Sequence, residues 1–147
     1  MPDAATRKRA TADKRQGKSA GTQAGEYVKE EMDHIREGKH GASSAKQAIA
    51  IGLSKARRSG VALKTSKTAS ATTRKKAAQD SAAAHDATHK VDARRSRATE
   101  KALKREGSAA ASPTALRRHA TAAAKKRTPA ARSASAKKAA RTRAAGK

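Results

Sequence analysis

The chain contains no cysteine, no phenylalanine and no tryptophan, and its single tyrosine is Tyr27. Without cysteine there is no disulfide framework and no thiolate metal site, and the redox compartment stays open. With Tyr27 as the one aromatic side chain of this kind, platforms on which single-stranded bases stack are disfavoured. No apolar run is long enough for a signal peptide or a membrane span, so a soluble intracellular protein is expected. Acidic residues are scarce: 12 stand against 36 Lys and Arg, giving a formal net charge of +24 over 147 residues.

What is present is mostly alanine and cations. Of the twelve larger apolar side chains after Met1, nine fall between Tyr27 and Leu63. Ordering a residue costs roughly 1.5 kcal/mol, while burying a large aliphatic side chain returns about 1.5–3 kcal/mol. Only a segment of about 40 residues there is expected to fold unaided. The fold class expected is therefore mainly α: a small two-helix hairpin module with a long low-complexity basic tail, disordered or conditionally helical.

Charge divides the chain in the same way. Residues 1–20 form a basic N-terminal arm of net +4, residues 21–63 the helical hairpin module of net +2, and residues 64–147 an Ala/Lys/Arg-rich tail of net +18. In the module, one helix is expected from about Thr22, as N-cap, to Glu37, with Gly38 as its stop. Ala24, Val28 and Ile35 share one direction, flanked by Tyr27 and Met32. Glu26, Glu30, Asp33 and Glu37 lie opposite, within about 60° of each other, as a solvent stripe. Only Glu31 strays toward the buried side. A second helix is expected from Ala45 to Arg58, with Ser44 and Gln47 as a capping box and Gly60 following. Gly52 and the alanines permit close helix packing, and Ile51 points away from the packed face. In the tail, 98–107 and 112–127 are short helix candidates, the latter with Ser112 as N-cap and Pro113 at the first helical position. These tail helices are expected to gain helicity on a polyanion.

Chemical motifs are weak. Glu30 and His34 stand four apart, as do Asp33 and Glu37, with His40 nearby, and His85, Asp86, His89 and Asp92 also have helical spacing, but the paired zinc-hydrolase pattern is missing. Ser43-Ser44-Ala45-Lys46 matches S-x-x-K, yet capping accounts for Ser44 and a chain this short of core offers no dry pocket. Gly38 and Gly41 read as turn punctuation. No catalytic residue, no metal, no cofactor and no small-molecule substrate is expected, and the protein is not expected to be an enzyme.

The strong signal is the cationic chain. Arg74, Lys75, Lys76, Arg94, Arg95, Lys104, Arg105, Arg117, Arg118, Lys125, Lys126, Arg127, Lys137 and Lys138 recur in pairs and triples, and Lys46, Lys55, Arg57 and Arg58 surround the second helix. Small residues between them let the backbone approach phosphates, and each contact releases counterions. The expected partner is nucleic acid, duplex DNA before single strands, without base-specific readout, in the cytoplasm at the nucleoid. The acidic stripe is a candidate dock for a basic segment of this chain or a neighbour. Self-association through the hairpin is also expected. The alternatives are a protein-interaction adaptor held on nucleic acid by its tail, or a binder of RNA or polyphosphate.

The stretch "TQAGEYVKEEMDHIREGKHGASSAKQAIAIGLSKARRSGV", within a match over about Arg7 to Val61, resembles a family of small, very basic bacterial proteins commonly labelled DNA-binding or plasmid-stabilisation proteins. Its distinctive words are "REGKHG" and "KQAIAIGLSKAR". "ATEKALKREGSAAASPTALRRHA" resembles a second segment of that family. The tail is similar to histone-like tails in composition alone. The resemblance implies chromosome association and carries over no catalytic residues.

Overall fold

The computed structural model describes residues 2–86 and 92–145, and these are helical with no strand. Its helices are α1 (Ala4–Arg15), α2 (Ala20–Arg36), α3 (Ala45–Arg58), α4 (Ala71–Ala83), α5 (Ala93–Lys104), α6 (Pro113–Lys125) and α7 (Pro129–Ala145), with a 3-10 turn at Ser108–Ala111. This corrects the expectation of a two-helix hairpin with a disordered or conditionally helical tail. The tail is built of helices, and its sequence carries the local reasons. Alanine is the strongest helix former. The Ser70 hydroxyl accepts from the Thr73 amide at 3.2 Å, and Thr128 Oγ1 accepts from the Ala131 amide at 3.2 Å. Pro113 and Pro129 each open a helix, where a missing N–H costs nothing.

Residues 1–112 form one compact unit and residues 113–147 another. In the first, the expected hairpin is its centre: α2 and α3 make the most extensive interhelical contact. Gly52 lies against Val28, while Ala56 shares a cluster with Ala24, so the helices run antiparallel. A methyl at Gly52 would sit 2.7 Å from Val28 Cα, so only glycine permits this approach. The cluster holds Ala10, Ala24, Tyr27, Ala56 and Val61, with Ala20, Leu53 and Leu63 packed on it. Met32 and Ile35 are buried farther along α2, and Ile51 is half-buried.

Helices α1, α2 and α3 all stop by the same device. Gly17, Gly38 and Gly60 take φ of +68°, +73° and +85°. After each, the next amide reaches back to the third-last carbonyl, as Val61 N does to Ala56 O at 3.1 Å. That bond carries Val61 back onto the cluster. The N-cap of α2 is Ser19, not Thr22, because the Ser19 hydroxyl accepts from the Thr22 amide at 3.2 Å and the helix begins at Ala20. Ser44 caps α3 as expected, but Gln47 Oε1 accepts from Ser43 rather than from Ser44, through the amide at 2.7 Å and the hydroxyl at 2.6 Å.

Flanking elements dock on this hairpin. Helix α1 packs on α2 through Thr6, Ala10 and Asp13, and Asp13 pairs with Lys18 Nζ at 2.7 Å. Helix α4 packs on α3, where the Ser54 hydroxyl donates to Asp80 Oδ2 at 2.8 Å. The helix expected at 98–107 instead spans Ala93–Lys104, since Asp92 caps it by accepting from the Arg94 and Arg95 amides at 2.9 and 3.1 Å.

Beyond α5 the chain crosses the α2–α3 connector. The Gly41 amide donates to Leu103 O at 2.9 Å, and Arg36 Nε donates to Ala111 O at 3.1 Å. Gly41 is therefore a close-approach residue and not turn punctuation: a Cβ there would overlap the Glu106 carbonyl. Residues 36–42 and 103–111, parts of the two stretches singled out in the sequence, touch each other. In the second unit, the Arg127 guanidinium donates to Ala131 O and Ser135 Oγ across the start of α7.

Candidate functional site

Two features of the first unit depart from a plain hairpin: a buried polar cluster and its cationic surfaces. The cluster forms where α2, the connector and the start of α1 meet. Glu31 is 0% exposed and Glu30 4%, so Glu30 does not belong to the solvent stripe on which its spacing placed it. The reason is α1, which covers that side of α2: the Asp3 amide donates to Glu30 Oε2 at 3.1 Å, and Arg9 pairs with Glu26. Glu26 and Glu30 of the expected stripe thus receive the N-terminal arm, while Asp33 pairs with Lys29 and Arg36, and Glu37 with Lys39.

Lys55 faces both carboxylates, 2.7 Å from Glu31 Oε2 and 3.5 Å from Glu30 Oε1. His40 Nε2 lies 3.3 Å from Glu31 Oε1, and His34 Nε2 lies 3.4 Å from Asp3 Oδ2. Both approaches to Glu31 are within ion-pair reach but off hydrogen-bonding direction, so its two buried oxygens have no aligned donor. The imidazoles of His34 and His40 stand edge to face, with centroids 6.2 Å apart. Glu31, His34 and His40 bring one donor atom each within 4.8 Å of one another, and so do Asp3, Glu30 and His34. Of the other histidine–aspartate set in the sequence, Asp92 serves as the α5 cap, and its carboxylate is held below the usual range by the Arg95 and Arg94 amides. His89 lies outside the described residues.

The cationic residues divide by placement. Lys55 is withdrawn into the cluster and does not face a phosphate. Arg57 is half-buried, its Nε enclosed without a partner. Lys46 and Arg58 are exposed on α3, as are Arg74, Lys75 and Lys76 on α4. Arg94, Arg95, Lys104 and Arg105 are exposed on or beside α5. Lys104 pairs with Glu100 at 2.8 Å, and that hydrogen bond holds the Glu100 carboxyl below its ordinary range. In the second unit Arg117, Arg118, Lys125, Lys126, Arg127, Lys137 and Lys138 are all exposed.

Two cationic faces, on α5 and α1, and one helix ringed by cations, α7, were not picked out from sequence. On α5, Arg94, Arg97, Lys101 and Lys104 follow steps of three, four and three residues, placing them within about 80° on one face. On α1, Arg7, Lys8 and Arg15 line a shallow groove on the face away from Thr6 and Ala10. Helix α7 carries Arg132, Arg141 and Arg143 besides Lys137 and Lys138, and no acid. Helical spacing was the available signal, and it is hidden when the opposite face is alanine or threonine instead of large apolar residues.

Nothing among family models, curated proteins or solved structures matches the chain. No helix among the described residues is long and apolar enough to cross a membrane.

Proposed function

We propose that the protein binds duplex nucleic acid, DNA in first place, through its phosphates and without reading bases. One observation carries this reading: exposed Lys and Arg stand on helices that carry few acids to neutralise them. The α5 stripe meets a single acid, Glu100, and the five cations of α7 meet none. Ordered helices present these charges at fixed spacing, so fewer side-chain and backbone degrees of freedom are lost on binding than for a mobile chain. The near-absence of aromatics argues against single-strand stacking, and no Asn, Gln or Arg cluster singles itself out for base edges. The assignment is to a histone-like, nucleoid-associated binder.

Salt dependence tests it. Each phosphate contact contributes about −0.9 to the slope of log affinity against log salt on duplex DNA. Replacing Arg132, Lys137, Lys138, Arg141 and Arg143 with glutamine in the full chain should flatten that slope by up to about 4.5. It should do so equally on oligonucleotides of unrelated sequence. Binding indifferent to ionic strength, or an unchanged slope in the variant, would refute the role of these cations. Stronger binding to polyphosphate or structured RNA than to duplex DNA at fixed salt would move the assignment to those polyanions.

A further inference from the structure

We propose that Glu31, His34 and His40 form a structural site for a divalent transition-metal ion of the zinc class, tying the α2–α3 connector to α2. The first observation is the tautomer of His40. Its Nδ1 lies 3.1 Å from the Gly41 carbonyl oxygen, which can only accept, so Nδ1 carries the proton. In the neutral ring Nε2 is then a bare lone pair, and it lies 3.3 Å from Glu31 Oε1, another acceptor. Two acceptors at that distance repel unless a cation lies between them or the ring takes a second proton. A ring N–H donated to a backbone carbonyl is also how metal-ligating histidines are commonly oriented.

The second observation is Glu31 itself, fully buried with no aligned donor on either oxygen. Lys55 neutralises one negative charge, but Glu30 and Glu31 together bring two into the interior. One charge is left over, and burying it uncompensated costs several kcal/mol. A divalent ion on Oε1 takes the site from a net charge of −1 to +1 with both imidazoles neutral while Lys55 keeps Oε2, so the facing lone pairs of His40 and Glu31, more than the charge count, call for it. His34 completes the set, with its donor atom inside the same 4.8 Å group. Two imidazoles and one carboxylate suit zinc, with a fourth position left for water. The competing group of Asp3, Glu30 and His34 lacks this arrangement: Asp3 is exposed, and Glu30 already accepts from the Asp3 amide. His40 adjoins Gly41, the residue on which 103–107 docks, so the ion would fix the surface that receives that segment.

The full-length protein, stripped with chelator, is to be titrated with Co²⁺ followed by Zn²⁺. Expected are visible bands of low-symmetry Co²⁺ saturating at one ion per chain, displaced by Zn²⁺, and a raised thermal midpoint. His34→Asn and His40→Asn should each weaken binding at least about tenfold, while His85→Asn and His119→Asn leave it unchanged. If a ligand variant loses its helical circular dichroism, nitrogen NMR of the native histidines decides: His40 Nε2 must shift on adding Zn²⁺. No saturable binding overturns the proposal, as does binding that survives loss of both His34 and His40. So does a His40 ring found doubly protonated at neutral pH and unmoved by Zn²⁺.

Discussion

Gly41→Ala is the sharpest probe of how residues 103–111 join the hairpin. The added methyl would overlap the Glu106 carbonyl and come within 2.7 Å of the Gly107 carbonyl oxygen, both backbone atoms that no rotamer change can move aside. Either the segment stays and strains, or it lifts off. Lifting off forfeits the amide bonds Gly41–Leu103 at 2.9 Å and Ala42–Gly107 at 3.4 Å, and the Arg36–Ala111 bond at 3.1 Å. Each is worth about 1 kcal/mol net. It also exposes Ala110 and Ala111, at about 0.8 kcal/mol per methyl, a cost partly offset by the backbone entropy the freed residues regain. The smaller of the two costs is observed, so a loss of about 1–3 kcal/mol is expected, the range found for overpacked sites. Urea denaturation reads the energy, and amide exchange at Gly41 and Ala42 reads the docking. Gly107→Ala is the control, because a Cβ there meets nothing within 4 Å. If Gly41→Ala were as benign as Gly107→Ala and kept its amide protection, the docking described here would be wrong.

The same substitution should have opposite signs at two glycines of the hairpin. Gly25→Ala meets nothing within 4 Å on α2 and should stabilise by about 0.5–1 kcal/mol, whereas Gly52→Ala drives a methyl onto the Val28 backbone and should destabilise by about 1–3 kcal/mol. Equal shifts in the urea midpoint would contradict the antiparallel register. Lys55→Met leaves two buried carboxylates facing no ammonium and should cost about 3 kcal/mol in the same assay. Lys46→Met, on an exposed side chain, should fall within about 0.5 kcal/mol of wild type while lowering DNA affinity.

The hairpin was legible because its signals are local. Ser44 precedes a periodic apolar stretch, Gly38 and Gly60 end theirs, and Gly52 stands where two helices must approach. Helix α1 was not legible: its buried face is Thr6, Ala10 and Asp13, none of which scores as core. Missing α1 also misplaced Glu30, whose spacing is that of a solvent stripe until another helix covers it. The docking at Gly41 involves partners some sixty residues along the chain, beyond the reach of any periodicity. Lys55 sits on a helix among surface cations, and only the tertiary position of Glu30 and Glu31 turns it inward.

Alanine explains why so polar a chain can fold and yet keep its charge outside. It loses no side-chain entropy on burial and favours helix, so helices can form with most other positions given to Lys, Arg, Ser and Thr. The return per buried alanine is small, however, and the clusters around Tyr27 and Ile35 hold few larger groups. Against net stabilities of about 5–15 kcal/mol, a core of this kind has little margin for an unmatched buried charge. Glu30 and Glu31 are buried nonetheless, at the point where α1, α2, α3 and the connector converge on Lys55 and His40. The Lys55 ammonium faces both carboxylates at that junction and ties α3 to α2. In a protein whose apolar contacts are mostly methyl on methyl, that ionic junction adds directed charge pairing to the close approaches at Gly52 and Gly41.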